Sequence, residues 1–181
     1  MTTYLTHLEC SNCSSTYNAN EQYHLCPACG SILLARYDLT RIKAEVPRQA
    51  IEKRLWSEGL WRYAELLPVS DALARVTLGE GATPLLALEG LSKELDVEVW
   101  LKDEGLNPTG TFKARGAAVG VSRAKELGAE TIALPTAGNA GAAWSAYGAR
   151  AGLPVVVAMP KDAPPLTQQE VVMYGARLHL V

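Results

Sequence analysis

The sequence predicts an α/β fold, part of a doubly wound parallel sheet, preceded by a small cysteine-rich unit. Three observations carry this prediction. From Val97 onward short apolar runs alternate with helix-period segments, the pattern of parallel strands joined by helical crossovers. Ala114, Ala117, Ala118, Val121 and Ala124 share one helical face, and such small side chains let a helix lie close to a sheet. All four cysteines stand near the start, as Cys10-Ser11-Asn12-Cys13 and Cys26-Pro27-Ala28-Cys29.

Composition excludes several function classes. A chain of 181 residues, 48% hydrophobic and 20% charged, has room for one medium domain and a small appendage. A net charge of −2 with no basic cluster speaks against nucleic acid or an anionic membrane as partner. Met1-Thr2-Thr3-Tyr4-Leu5 lacks the basic and apolar regions of a signal peptide, and no apolar run approaches the roughly 20 residues of a membrane span. A cytoplasmic setting is the expectation.

Residues 1–38 read as a zinc ribbon. Two C-x-x-C knuckles match the tetrahedral geometry of a structural four-thiolate zinc site with Cys10, Cys13, Cys26 and Cys29 as ligands. A redox pair or free thiols are the alternatives. His7 and His24 lie close by, but four thiolates complete the shell, and a closed shell holds structure rather than catalysing. Residues 31–37 read as the closing strand and residues 38–47 as a polar connector. Residues 39–96 then form a helical connector and the start of a larger domain. Ile51, Leu55, Trp56, Leu60, Trp61 and Ala64 recur at helical spacing, although Gly59 interrupts them, and the tryptophans suit a core or an interface.

The α/β region occupies residues 97–181. Strands are expected at 97–103, 131–135, 154–159 and 177–181, with helices at 111–127, 138–151 and 167–175. Thr167 and Glu170 have capping-box spacing. In open parallel sheets ligands bind beyond the strand C-termini, and two glycine-bearing segments fall at that edge. One is Asn107-Pro108-Thr109-Gly110-Thr111-Phe112-Lys113-Ala114-Arg115-Gly116. Pro108 and Gly110 end the strand and Thr109 or Thr111 caps a helix, so Lys113 sits in its first turn. The helix macrodipole is positive there, so the field favours a neutral amine, which is a nucleophile. A snorkelling surface lysine is the alternative. The other segment, Thr136-Ala137-Gly138-Asn139-Ala140, follows a strand and opens a helix, so its amides suit an anion such as a carboxylate, or simply form a helix cap.

Val99 to Lys113 resembles the cofactor-lysine segment of the fold type II (tryptophan synthase beta-like) pyridoxal-phosphate enzymes, and within them is most similar to threonine synthase. Gly79-Glu80-Gly81-Ala82-Thr83-Pro84-Leu85 upstream and Pro135 to Gly141 downstream match in the same order. The resemblance implies two cofactors, pyridoxal 5'-phosphate and the structural zinc that some members carry in a similar ribbon. It implies that Lys113 forms the internal Schiff base and, once displaced by the substrate amine, acts as the base. Asn139 would bond the cofactor's phenolic oxygen, and residues 79–85 would lie near the active site. By position Phe112 would pack under the cofactor, with a plain core aromatic as the alternative. The 136–140 loop would hold the substrate α-carboxylate.

The implied activity is a lyase converting O-phospho-L-homoserine and water to L-threonine and phosphate, a step of amino-acid biosynthesis, in an enzyme that is a homo-oligomer at full length. Family members continue into a second half that supplies a glycine-rich phosphate loop and a partner for the pyridine nitrogen. This chain stops at a strand without a match to either, so it reads as a fragment. One departure stands out: threonine synthases usually carry an acid directly after the lysine, where this chain has Ala114, with Arg115 retained. A threonine or serine dehydratase-like enzyme of the same fold is therefore a second expectation. An inactive fragment that serves only as a zinc-ribbon binding module is a third.

Overall fold

The computed structural model describes residues 3–181; Met1 and Thr2, the first two residues of the segment read as leaderless, lie outside the described residues. Strands β1 (Leu5–Cys10), β2 (Thr16–Tyr17) and β3 (Leu33–Tyr37) form an antiparallel sheet in the order β2-β1-β3. Each C-x-x-C stands at a tight turn: the Ser14 amide donates to the Cys10 carbonyl and the Gly30 amide to that of Cys26. The expected polar connector is in fact helical. Asp38 accepts from the Arg41 amide at 2.8 Å and so caps α1 (Leu39–Glu45), which leads into the short α2 (Arg48–Glu52).

The expected helix through Trp56 and Ala64 is a run of 3-10 turns, Trp56–Leu66, broken where Gly59 adopts φ 55° and ψ −129°. Trp61 is buried there, while Trp56 is two-thirds exposed and so is not core. Residues 97–103 also depart from expectation. The strand is only β5 (Trp100–Lys102), and it pairs antiparallel with β4 (Leu85–Ala87) in a separate ribbon; α3 (Glu89–Leu95) joins the two. Trp100 and Leu101 are about half exposed, so their apolar character does not mark a buried parallel strand.

The parallel sheet itself has the order β6-β7-β8, from Ile132–Pro135, Val155–Met159 and Arg177–Leu180. Its crossovers are α5 (Asn139–Ala151) and α6 (Pro165–Met173). β7 alternates buried and half-buried positions, with Val155, Val157 and Met159 inward. Helix α6 begins two residues before the expected capping box: Pro165 takes the first position, where its missing amide costs nothing, and Thr167 is buried inside the helix.

Helix α4 (Lys113–Glu126) turns Ala114, Ala117, Ala118 and Val121 fully inward, as the spacing predicts, but the neighbour it meets most closely is α5 rather than the sheet. Gly120 is the contact point. A Cβ there would overlap the Trp144 indole, so the close crossing needs glycine. The cysteine-rich unit docks at the other end of α4, where Arg123 donates to the Ala19 carbonyl and Gln22 to that of Leu127.

Candidate active site

Lys113 is the first residue of α4 and is exposed. Its amide donates to Thr111 Oγ1 at 3.2 Å, but the cap position is Phe112 with no side-chain cap bond, so neither Thr109 nor Thr111 caps the helix as expected. The turn before it is unusual: Thr109 has φ 63°, a left-handed conformation that is uncommon and costly for a β-branched residue, and its buried hydroxyl has no partner. Such strain persists only where surrounding contacts impose it.

Side-chain bonds on both sides of this turn converge on Glu104. Arg115 donates to it through Nε at 2.7 Å and Nη2 at 2.8 Å, Thr83 Oγ1 at 2.5 Å and Asn107 Nδ2 at 2.9 Å. The Arg115 guanidinium, with help from Thr83 and Asn107, holds the Glu104 carboxyl down to about 2. Asn107 is itself buried and accepts from the Gly81 amide at 3.0 Å. Gly81 has φ 92°, and a Cβ there would strike the backbone of Gly59 and Leu60. The 79–85 loop is thus tied to the segment that carries Lys113. Arg115, through Glu104, fixes the turn.

The same loop reaches α5. Glu80 is fully buried and accepts from Tyr147 Oη at 2.5 Å, from the Leu78 amide and from Thr77. Burial and then the Glu80 carboxylate push the Tyr147 phenol far above its ordinary range. Helix α5 opens at Asn139, and the Pro108–Gly110 turn packs against it. Thr136 Oγ1 accepts from the Gly138 amide at 3.2 Å. The amides of Asn139 and Ala140 donate to no carbonyl among the described residues, as expected for a first helical turn. Ala137 and Asn139 are exposed, with Thr136, Gly138 and Ala140 partly so.

Phe112 is not the core aromatic allowed as an alternative. It is 57% exposed, and Lys113 Nζ lies 4.6 Å from its ring centroid. Ala114, by contrast, is fully buried in the apolar cluster of α4 and α5, where a small apolar side chain suits the space. Glu80, Glu104 and Tyr147 were given no role from the sequence. An acid eleven positions before Arg115 was the available signal for Glu104; nothing local marks Tyr147 as its loop's partner.

The sequence pattern of the pyridoxal-phosphate dependent enzyme family matches residues 76–181. The chain belongs to that family. It is 42% identical over 171 residues to the threonine synthase of Methanocaldococcus jannaschii, covering 93% of this chain and 42% of that protein. To the threonine synthase of Methanosarcina acetivorans it is 38% identical over 174 residues, covering 95% of this chain and again 42% of the relative. The chain therefore spans less than half the length of these curated relatives. Among solved structures, a pyridoxal 5'-phosphate-dependent aspartate racemase aligns with TM-score 0.51 and 29% identity over 54% of this chain and 32% of its own. The α/β architecture with its parallel sheet is that of fold type II enzymes.

In the N-terminal unit the four thiol sulfurs all lie within 4.8 Å of one another. Cys10 and Cys29 are 3.4 Å apart and Cys13 and Cys26 3.6 Å, near the roughly 3.8 Å edge of a tetrahedron with 2.3 Å metal–sulfur bonds. Ser31 holds the Cys29 thiol down to about 6, and the Tyr17 hydroxyl lowers that of Cys26. Burial pushes the Cys10 thiol up to about 11, and a bound cation would favour its ionised form. The cluster is consistent with a zinc ribbon, and neither His7 nor His24 joins it. No helix among the described residues is long and apolar enough to cross a membrane.

Proposed function

We propose that this chain is the cofactor-lysine portion of a pyridoxal-phosphate lyase of the threonine synthase type, acting on O-phospho-L-homoserine and water to give L-threonine and phosphate. The observation that carries the proposal is the anchoring of the Lys113 turn by Glu104, Asn107 and Arg115, which leaves the amine exposed and without an ion pair among the described residues. Identity near 40% to two threonine synthases supports the substrate class.

The residues present fit the cofactor. Lys113 would hold it covalently through Nζ, Asn139 would bond its phenolic oxygen, and the exposed face of Phe112 would lie beside it. When bound, the cofactor supplies an electron sink for carbanions at the substrate α-carbon. Lys113, freed when the substrate amine binds, takes and returns the α-proton. The start of α5, residues 136–140, receives the substrate carboxylate on its free amides. Cys10, Cys13, Cys26 and Cys29 would hold zinc as a structural ion, since four thiolates leave no open position for substrate. The complete protein would work as a soluble homo-oligomer in the cytoplasm.

Incubation with pyridoxal phosphate, borohydride reduction and peptide mass spectrometry test the lysine assignment. The label should sit on the peptide containing Lys113 and vanish in Lys113→Ala; a label spread equally over other lysines refutes it. A dehydratase of the same fold is favoured by one feature, Ala114 in place of the usual acid. Turnover of phosphohomoserine against threonine by the complete protein separates the two, and ammonia release from threonine alone would exclude the synthase.

A further inference from the structure

The four cysteines of the N-terminal unit do not share one environment. Cys10 and Cys26 are 1% and 2% exposed, whereas Cys13 and Cys29 face solvent. Four thiolates around a divalent zinc leave a formal charge of about −2, which hydrogen-bond donors or water must meet. Water has access to the two exposed residues but not to Cys10 or Cys26, so the donors there are built into the chain. Cys10 accepts from the Asn12 and Cys13 amides, both at 3.4 Å. Cys26 receives the corresponding amides of Ala28 and Cys29, and one group more: the Tyr17 hydroxyl, 3.1 Å from its sulfur.

Tyr17 is held in place on two sides. It lies in β2, paired with Leu8 of β1. Its ring rests against that of Tyr23, with centroids 5.3 Å apart and planes tilted by 53°. Tyr23 donates to Glu21 at 2.7 Å, and Asn18 donates to the same carboxylate at 3.1 Å, which ties down the loop between the knuckles. A thiol can donate to a phenol or accept from it, but a metal-bound thiolate has no proton, so the tyrosine is then the donor. We infer that Tyr17 is a fifth residue of the metal centre: its hydroxyl donates to the Cys26 thiolate and sets how tightly the site holds zinc. The inference rests on the assignment of zinc to the four cysteines. A bond to sulfur draws charge from the buried thiolate, so its loss raises the free energy of the loaded site more than that of the empty chain. Ser15 offers the contrast. Its hydroxyl lies 3.3 Å from the Cys13 sulfur, but Cys13 is exposed and water can take that place.

The test loads the 181-residue chain with zinc and measures affinity by competition with a chromophoric chelator. Tyr17→Phe, which keeps the ring, should weaken zinc binding about tenfold or more. Ser15→Ala should weaken it by less than about threefold, and Tyr23→Phe, which loses a hydroxyl that faces Glu21, should leave it unchanged. Cobalt(II) in place of zinc supplies a readout that ring packing alone would not move. Tyr17→Phe should keep the visible bands of a tetrahedral cobalt site while its sulfur-to-metal charge-transfer band moves to longer wavelength, because a sulfur without its hydrogen bond gives up an electron more easily. Equal zinc affinity in wild type and Tyr17→Phe, or an unmoved charge-transfer band, would overturn the role of Tyr17 and leave the four-cysteine site standing. A loss in Tyr23→Phe as large as in Tyr17→Phe would overturn it too, since the ring stack rather than the hydroxyl would be responsible. A wild-type chain that takes up no metal would overturn both readings.

Discussion

Replacing Glu104 with glutamine removes the charge on which the turn before Lys113 converges. The carboxyl is held near 2 in the folded protein, first by Arg115 at 2.7 and 2.8 Å, against about 4.3 in an unfolded chain. At 1.36 kcal/mol per unit, the two-unit gap would be worth roughly 3 kcal/mol. Side chains that are a quarter to a third exposed feel solvent screening, which reduces the figure to about 1.5–2 kcal/mol. Because the folded value is the lower one, this stability is fully present above about pH 4.3 and is lost as the pH falls toward 2. The assay is denaturant or thermal unfolding of wild type and Glu104→Gln from pH 7 to pH 2.5. At pH 7 the variant should melt roughly 3–8 °C lower. The difference should shrink steadily below pH 4, where wild type loses the same interaction. Two parallel curves across that range would refute the argument, since they would mean that Glu104 titrates alike in both states.

Three further outcomes are expected. Gly120→Ala gains helix propensity but places a methyl on the Trp144 indole, so unfolding should show a net loss of about 1–2 kcal/mol. Cys26→Ser should lower the zinc content measured by metal analysis and make the N-terminal unit sensitive to protease, whereas undiminished zinc would count against the four-thiolate site. Tyr147→Phe leaves the buried Glu80 side chain short of its closest donor and should cost about 1–3 kcal/mol in denaturant unfolding, and an unchanged midpoint would count against that bond.

The parts of the fold legible in sequence are those set by local periodicity. The alanine face of α4 and the alternation of β7 follow from spacing alone, and both are buried as expected. The start of α4 was legible to within two residues because proline and glycine act close to where they stand, although the expected threonine cap is not made. Errors arose where a second signal overrode the first. The segment 97–103 is apolar enough to suggest a buried parallel strand, yet apolar content does not specify a partner, and the pairing with Leu85–Ala87 is a long-range choice. The Thr167–Glu170 spacing suggested a cap, but Pro165 starts the helix first. Within the candidate site, Lys113 and Asn139 could be named from their segments. The acids that position them could not, because a buried glutamate looks like a surface one until its partners are placed.

That difference changes the account of what positions the lysine. The helix macrodipole alone would act on any residue in the first turn of any helix, so it cannot single out Lys113. Specific placement comes from the 79–85 loop, which makes two connections in opposite directions along its own backbone. Thr83 and Gly81 bind Glu104 and Asn107, and through Glu104 reach Arg115, two residues beyond Lys113. Glu80 binds Tyr147, on the helix that opens with Asn139. One loop therefore braces the helix that begins with the proposed cofactor lysine and the helix that begins with its proposed partner. A change that displaced Gly81, whose left-handed backbone and tight approach to Gly59 admit no side chain, would disturb both helices at once. A change at Lys113 or Asn139 would leave the brace intact, so loss of cofactor binding without loss of stability is the signature that separates the residues of the site from those that hold it.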